Sequence, residues 1–539
     1  MISKENGFAL PFNLSFRINF QYVFACISIF IFLLIIYSNS FYGDWHFDDI
    51  FNIVANPYIQ IKSFSWENIK RCIYGLAQER PSRPLSYLSF ALNYYLDGTN
   101  VFGYHVVNFI IHYLAAIFLF LFIYNTLKLP LLKDRYNFTA YPVALLATLF
   151  WAINPVFVTS VTYIVQRMAS MAGLFYIMSM YFYVKGKTSQ NLNHSLFFFI
   201  LCSLAGLASV LSKENAAMLP VSIFLYDLLL IRGISKDSIN KYLKIAILPV
   251  TMIIIAGFIL YVDFSAVFDD YKMRDFTMVQ RLLTEPRVII FYLSLLFFPL
   301  NSRLTLLYDI DVSHSLFQPW TTLPAILFIL TAICFAFYIT KKHPLLSFCI
   351  IFYFLNHLIE GSIFNLELIY EHRNYLPAML LFVPLSEFLI YSSVYFSNKK
   401  MIQAIVALVI VIILVSAGDN TYRRNKIISD DFLLWSDNIN KSPQLSRPHS
   451  NLGVIYFNKN MNEKALFEYE KAIALNNFGS TLALAIQDCN LGLLYFREKK
   501  DDLAMNYFQK SSAVLPEYIQ NTIHIAKIKT RQNKNKETK

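Results

Sequence analysis

The succession of apolar runs along these 539 residues constrains the fold more than any other feature of the chain. A helix needs about 20 mostly apolar residues to cross a bilayer, and only helices or closed barrels satisfy every backbone group there. Runs at 19–41, 103–124, 141–155, 168–185, 194–212, 215–231, 243–262, 321–340, 344–360, 376–396 and 401–418 reach or approach that length. They predict an all-α, polytopic membrane bundle of about eleven spans. A further run, 286–300 (PRVIIFYLSLLFFPL), is short and bounded by Pro286 and Pro299, so a re-entrant or interfacial helix is expected there. The composition agrees: 56% of the residues are hydrophobic and 15% charged, against roughly 25% charged in soluble domains.

A net charge of +11 invites a nucleic-acid reading. The bases, however, lie in short connections between apolar runs: Lys4 and Arg17, then 128–135, 185–187, 232–244, 341–342 and 399–400. No basic patch with interleaved aromatics stands outside the membrane, so no nucleic-acid partner is expected. Cytoplasmic loops are rich in Lys and Arg, which puts the N-terminus inside and the C-terminal region outside. Two large outer loops then follow, about 42–102 and 263–320, the second carrying Asp269, Asp270, Arg274, Asp275, Arg281, Asp309 and Asp311. The six cysteines form no CxxC or Cys/His cluster, which indicates neither a zinc site nor a disulfide framework. The first apolar run lacks a small-residue cleavage site and is read as a retained helix.

After Gly418 the chain turns polar, which divides it into a membrane domain (1–418) and a C-terminal domain (419–539). Within the latter, NLGVIYFNKNMNEKALFEYEKAIALN aligns with NLGLLYFREKKDDLAMNYFQKSSAVLP. Leu452, Gly453, Tyr456, Ala465, Tyr469 and Ala472 recur as Leu491, Gly492, Tyr495, Ala504, Phe508 and Ser511, and Pro516 closes the second unit. The spacing is similar to the tetratricopeptide repeat (TPR), in which small residues let two antiparallel helices approach and large ones fill between them. An insertion at 476–485 lengthens the turn between units, and a helix near Asp431 anchored by Trp435 is expected to supply a third layer. Such an α-solenoid either docks a peptide or caps the membrane core. The tail from Lys527 is basic and expected to fray.

The chemistry-bearing residues cluster at one set of span ends. Trp45–Asp49 (WHFDD) follows the first run directly and sets Asp48 and Asp49 at its mouth. Paired acids beside lipid are costly unless they meet water, a metal or a cation. One of them suits a general base that takes a hydroxyl proton; the plainer alternative is a cap or salt bridge at the span's end. Arg83 precedes Pro84, and His105, Asn108 and His112 share one helical face by their spacing. Metal ligation by His105 and His112 lacks a third strong ligand nearby, so substrate positioning or an interhelical hydrogen bond is the better reading. Arg167 either clamps a phosphate or anchors its helix at the headgroups. Lys213 and Glu214 form an adjacent pair between two apolar helices, and Glu371, His372 and Arg373 stand before the run at 376 as a site or as a salt-bridge cluster. The expected topology puts all of these on the outer face.

In order along the chain, FDDIFNIVANP, RPLSYLSFALNYYLDG, YHVVNFIIH, VTYIVQRMASMAGLFYIMSMYFYVKG, SKEN, EHRNYLP and the repeats resemble the transmembrane-and-TPR (TMTC-type) proteins and their bacterial relatives, of the GT-C glycosyltransferase class. The resemblance implies a GT-C-like bundle, with transfer of a sugar, typically mannose, from a polyprenyl-phosphate donor to a protein hydroxyl and inversion at the anomeric carbon. It maps the family's acidic pair onto Asp48 and Asp49, one as base, aided by the other or by a divalent metal such as Mg or Mn. Arg83, His105, Arg167, Lys213, Glu214, Glu371, His372 and Arg373 are then the expected substrate- and phosphate-binding residues. A bacterial inner membrane, with the repeats in the periplasm and presenting the acceptor, is the expected setting. One block departs: Asn154–Val161 (NPVFVTSV) has Thr159 where the relatives carry an acid, leaving Glu214 or Glu371 as substitutes. Transfer to a lipid or polysaccharide, transport, and a non-catalytic scaffold are the rival readings.

Overall fold

The computed structural model describes residues 20–74, 83–233, 271, 274–475, 481–515 and 523–531. The expected span at 243–262, Asp269, Asp270, Lys4, Arg17, Pro516 and the first half of the inter-repeat insertion (476–480) lie outside those residues. Among the described residues 76% are helical and none forms a strand.

Seven described helices are long and apolar enough to cross a membrane: Phe20–Tyr37, Val101–Leu127, Leu192–Ser212, Glu214–Ile231, Thr322–Ile339, Pro377–Tyr395 and Lys400–Ile428. An eighth is the pair Ala140–Ala152 and Pro155–Val161, bent by 52°. The bend follows from the sequence. Pro155 cannot donate a backbone hydrogen bond, and the Asn154 side chain instead caps the new turn by accepting from Val156 N. The runs expected at 168–185 and 344–360 are the helices Arg167–Thr188 and Pro344–His357. The chain is thus an integral, multi-pass membrane protein.

The start of one helix differs from the expectation. Residues 286–297 of the run at 286–300 are the C-terminal part of a 20-residue helix, Met278–Phe297, which runs through Pro286. A reciprocal capping box of Thr277 and Gln280 starts it eight residues earlier than the apolar run suggested. Its first half carries Arg281, Glu285 and Arg287, and this polarity hid the helix from a reading based on hydropathy.

Burial sorts the bundle into inner and outer members. Val101–Leu127 is central, with 56% of its apolar window buried, whereas Lys400–Ile428 buries 6% and presents its apolar side chains outward. Such a surface belongs in lipid. At 1.5 Å per residue the latter helix is about 43 Å long, more than the roughly 30 Å hydrocarbon core. Its last turns therefore stand beyond the bilayer. There Thr421 Oγ1 donates to Ile153 O (2.6 Å) and Asn425 Nδ2 to Ile36 O (3.2 Å).

A second apolar cluster caps this end of the bundle. It joins Ile53 and Ile59 of the first loop, Phe90, Ile428, Trp435 and Leu452. The helix Asp431–Lys441 and the first repeat helix, Ser446–Asn458, are thus built into the cap, and no packing boundary falls at Gly418. Beyond it, Asn462–Ala474, Thr481–Arg497 and Asp501–Val514 complete two helical hairpins. The repeat's small residues do what their spacing predicted. A Cβ on Gly453 would lie 2.5 Å from the Tyr469 ring, and one on Gly492 2.8 Å from Phe508.

Candidate functional site

The acidic turn is tied down from three directions. The Asp49 amide donates to His46 O (2.7 Å), and Asp49 Oδ2 accepts from His46 N (3.0 Å). Between them Phe47 takes φ of 40°, a left-handed value uncommon for a bulky side chain. Asp49 Oδ1 reaches across to accept from Val165 N (2.7 Å), at the start of the Arg167–Thr188 segment. The side chain is fully buried. Burial pushes its carboxyl up to about 7, against the pull of His46 and the two backbone donors. Asp49 is thus the fastener of the turn.

Asp48 has the opposite environment. It is half-buried, and its amide donates to Tyr163 Oη (2.8 Å). Burial raises its carboxyl, while Tyr163 and the charge of Arg447 draw it back and Glu367 opposes them. Behind it, Asn52 Nδ2 donates to Asp48 O (2.8 Å), and Tyr87 Oη donates to Asn52 Oδ1 (2.8 Å). This chain leads to Arg83, which caps the helix Pro84–Asp97 in a left-handed conformation (φ 50°). Arg83 Nε meets both oxygens of half-exposed Glu214 at 3.0 Å.

Next to that pair, buried Lys213 Nζ donates to Glu360 Oε1 (2.6 Å), and Asn215 Nδ2 to Glu360 Oε2 (3.3 Å). Arg373 donates to Leu368 O (3.0 Å) and lies 5.5 Å from the Tyr370 ring centre, on which His372 stacks. Burial holds His372 well below the usual imidazole range, and the charges of Lys213, Arg373 and Arg83 add to it. Tyr370 in turn feels both Asp48 and Arg373, which joins the acidic turn to the cationic group. Asp48, Arg83, Lys213, Glu214, His372 and Arg373 thus lie toward the same end of the bundle, connected through Asn52, Tyr87 and Tyr370. Buried polar atoms without a hydrogen bond include His372 Nδ1, Asn374 Oδ1 and Glu371 Oε2 of the Glu371–Asn374 turn, with Thr159 Oγ1 and Ser160 Oγ on the short helix packed against it. Such atoms mark places where water or a polar ligand group is required.

Four residues singled out in the sequence are engaged elsewhere. Arg167 is wholly buried. Its guanidinium donates to Asn108 Oδ1 (2.6 Å), Asn93 Oδ1 (2.6 Å), Ser89 O (3.2 Å) and Tyr104 O (3.0 Å), with Phe90 4.7 Å from its centre. It is neither at the headgroups nor open to a phosphate. His105 Nε2 bonds Gly43 O (3.1 Å) and holds the first loop. His112 Nε2 donates to Ala152 O (2.8 Å), so its Nδ1 accepts from Tyr375 Oη (2.9 Å) and is unavailable to a metal. Glu371 turns away to accept from Tyr308 Oη (2.6 Å) and to face Arg424, itself 3.0 Å from Asp437.

Sequence reasoning missed Tyr163, Glu360, Glu367, Tyr370, Asp431 and Arg447. Glu360 had a signal, an acid at the end of an apolar run. The others become visible only through partners more than fifty residues away. The donors do not fit a dedicated divalent-cation site: both Asp49 oxygens take backbone N–H groups, and no three His, Cys, Asp or Glu side chains converge among the described residues.

Fold and site together define a helical membrane protein whose long ion-bearing loops and C-terminal repeats meet at one end of the bundle. Residues 446–478 match the tetratricopeptide repeat family. The chain is 24% identical over 465 residues to the Caenorhabditis elegans protein O-mannosyl-transferase F38B6.6, covering 82% of this chain and 61% of the relative. It is 29% identical over 210 residues to human protein O-mannosyl-transferase TMTC4, covering 37% of this chain and 28% of the relative. Mouse TMTC1, of the same description, is 29% identical over 204 residues, 36% of this chain and 21% of its own. No solved structure matches the chain. It is a TMTC-like, TPR-containing protein that spans 61% or less of the length of these relatives.

Proposed function

We propose that the chain is a glycosyltransferase that moves a mannose-like sugar from a polyprenyl-phosphate donor to a Ser/Thr hydroxyl of a protein, with inversion. The observation that carries this reading is that half-buried Asp48 and the cations Arg83, Lys213 and Arg373 lie toward the same end of a lipid-embedded bundle, linked through Asn52, Tyr87 and Tyr370. Asp48 takes the proton from the acceptor hydroxyl. The freed oxygen attacks the anomeric carbon from the side opposite the phosphate, the carbon–oxygen bond to phosphate breaks, and the cations stabilise the departing charge. Asp49, with both oxygens committed, orients the turn. Thr159 leaves no acid in its block, and Glu214 and Glu371 are held by Arg83 and Tyr308, so neither is the better base. No step is assigned to a metal.

The opposite end of the bundle carries Arg135 beside His343 and Glu387, and Lys187 beside Asp227. Cytoplasmic loops are the basic ones, which supports an extracytoplasmic site, the periplasmic side in a bacterial inner membrane. The repeats then present the acceptor protein. Full-length protein in liposomes with polyprenyl-phosphate-mannose and a Ser/Thr peptide tests the reading: Asp48→Asn is expected to lose at least 100-fold in transfer, on the order of general-base catalysis. Wild-type transfer by Asp48→Asn overturns it, and label appearing in lipid or polysaccharide instead of peptide overturns the acceptor assignment.

A further inference from the structure

The first repeat helix reaches into the acidic site. Arg447 lies on Ser446–Asn458, and its Nη1 and Nη2 each sit 3.2 Å from Glu367 Oε1. Glu367 is shared with Arg274, whose Nη1 is 2.6 Å from the same oxygen. The Arg447 guanidinium also stands 5.8 Å from the centre of the Phe47 ring. Phe47 is the left-handed residue of the acidic turn, and its far edge packs on Trp435 (5.8 Å between ring centres). The turn is therefore clamped by two side chains that the sequence places beyond the membrane domain. A third contact repeats the pattern: His46 Nδ1 bonds Asp431 Oδ1 at 2.8 Å.

We propose that Arg447 is a positioning residue of the acidic site: it holds the Phe47–Asp48 turn through Phe47 and Glu367 and sets the charge around the Asp48 carboxylate, so the repeat domain is part of the site. This rests on the reading of Asp48 as the base. A repeat that only recruits a partner needs no cation beside that aspartate, and a freely swinging repeat domain could not keep one there. The groups facing Asp48 are few. Asp49 comes from its own loop, with His46 behind it, Tyr163 from the segment before Arg167, Tyr370 and Glu367 from the segment before the EHRN turn, and Arg447 from the repeat. Arg274 and Asp275 act through Glu367. Of these, Arg447 is the cation acting directly on Asp48, and Glu367 the anion beyond its own turn.

The test is the pH profile of kcat/KM for peptide mannosylation by full-length protein. A base must be ionised, so activity falls on the acid side through its pKa. Arg447→Ala removes a favourable cation and is expected to move that acid limb up by roughly one pH unit, the size of a near opposite charge. Arg447→Lys restores most of the shift. Glu367→Gln removes the opposing anion and moves the limb down, which keeps the proposal testable if Arg447→Ala inserts poorly. A loss equal at all pH values in Arg447→Ala, with an unmoved limb in Glu367→Gln, overturns the positioning role. If Asp48→Asn transfers normally across the same pH range, the reading of Asp48 itself fails, a distinct outcome.

Discussion

Asp48 and Asp49 are chemically alike and one residue apart, yet the turn gives them separate work. Adjacent residues cannot share a helical face, and here the positive φ at Phe47 turns one carboxyl into the protein and leaves the other at its edge. Because Asp49 titrates at about 7 when folded and near 3.9 when unfolded, the folded state binds the extra proton between those values. Its contribution to stability is therefore greatest at acid pH and declines as pH rises from about 4 to about 7. Asp49→Asn cannot titrate. Its deficit in thermal midpoint against the wild type is expected to be largest near pH 4 and to shrink by pH 8; a deficit that widens instead contradicts the fastener role. Arg167 makes the complementary case. Its guanidinium is buried among neutral acceptors, so Arg167→Leu strands them and is expected to cost about 3 kcal/mol or more, read as loss of folded protein in detergent at all pH values. The sequence marked both residues as important but could not divide their roles. Role depends on partners such as Val165, Asn93 and Asn108, contributed by other segments.

At the scale of elements, legibility followed the length of the periodic signal. Spans such as 103–124 and 194–212 correspond to the helices Val101–Leu127 and Leu192–Ser212 within a few residues, because one long apolar run leaves a helix no competitor. The helix Met278–Phe297 was half hidden because its opening turns are charged and spend those charges inside. Arg281 pairs with Glu285 at 2.6 Å and donates to Glu360 O (2.6 Å) and Ser362 O (3.1 Å). It thereby shapes the loop that holds Lys213's partner. The repeats were legible from Gly453 and Gly492, since only a missing Cβ admits the facing ring. Gly453→Ala is expected to destabilise by about 1–3 kcal/mol through overpacking, visible as a lowered melting temperature, whereas Gly98→Ala, with no atom near its Cβ position, pays only the strain of its φ of 60°. Equal melting of Gly453→Ala and wild type would mean the hairpin is not closed as described.

For the whole molecule, no feature of the sequence measures how far the cap reaches. The composition change at Gly418 suggested a border, but the helix there continues to Ile428 and its neighbours enter the acidic turn. Apolar runs report where lipid ends; they do not report where packing ends. The central claim is that the acidic turn and the repeats occupy one face and touch. The most direct measurement is cross-linking of the double variant His46→Cys/Asp431→Cys in a background without the six native cysteines, in intact membranes, with an impermeant bifunctional thiol reagent long enough to span the space of the His46–Asp431 side-chain pair. The account predicts an internal cross-link, formed from the outer side and absent in either single variant. Failure to cross-link, with the two cysteines labelled from opposite sides of the membrane, would contradict it.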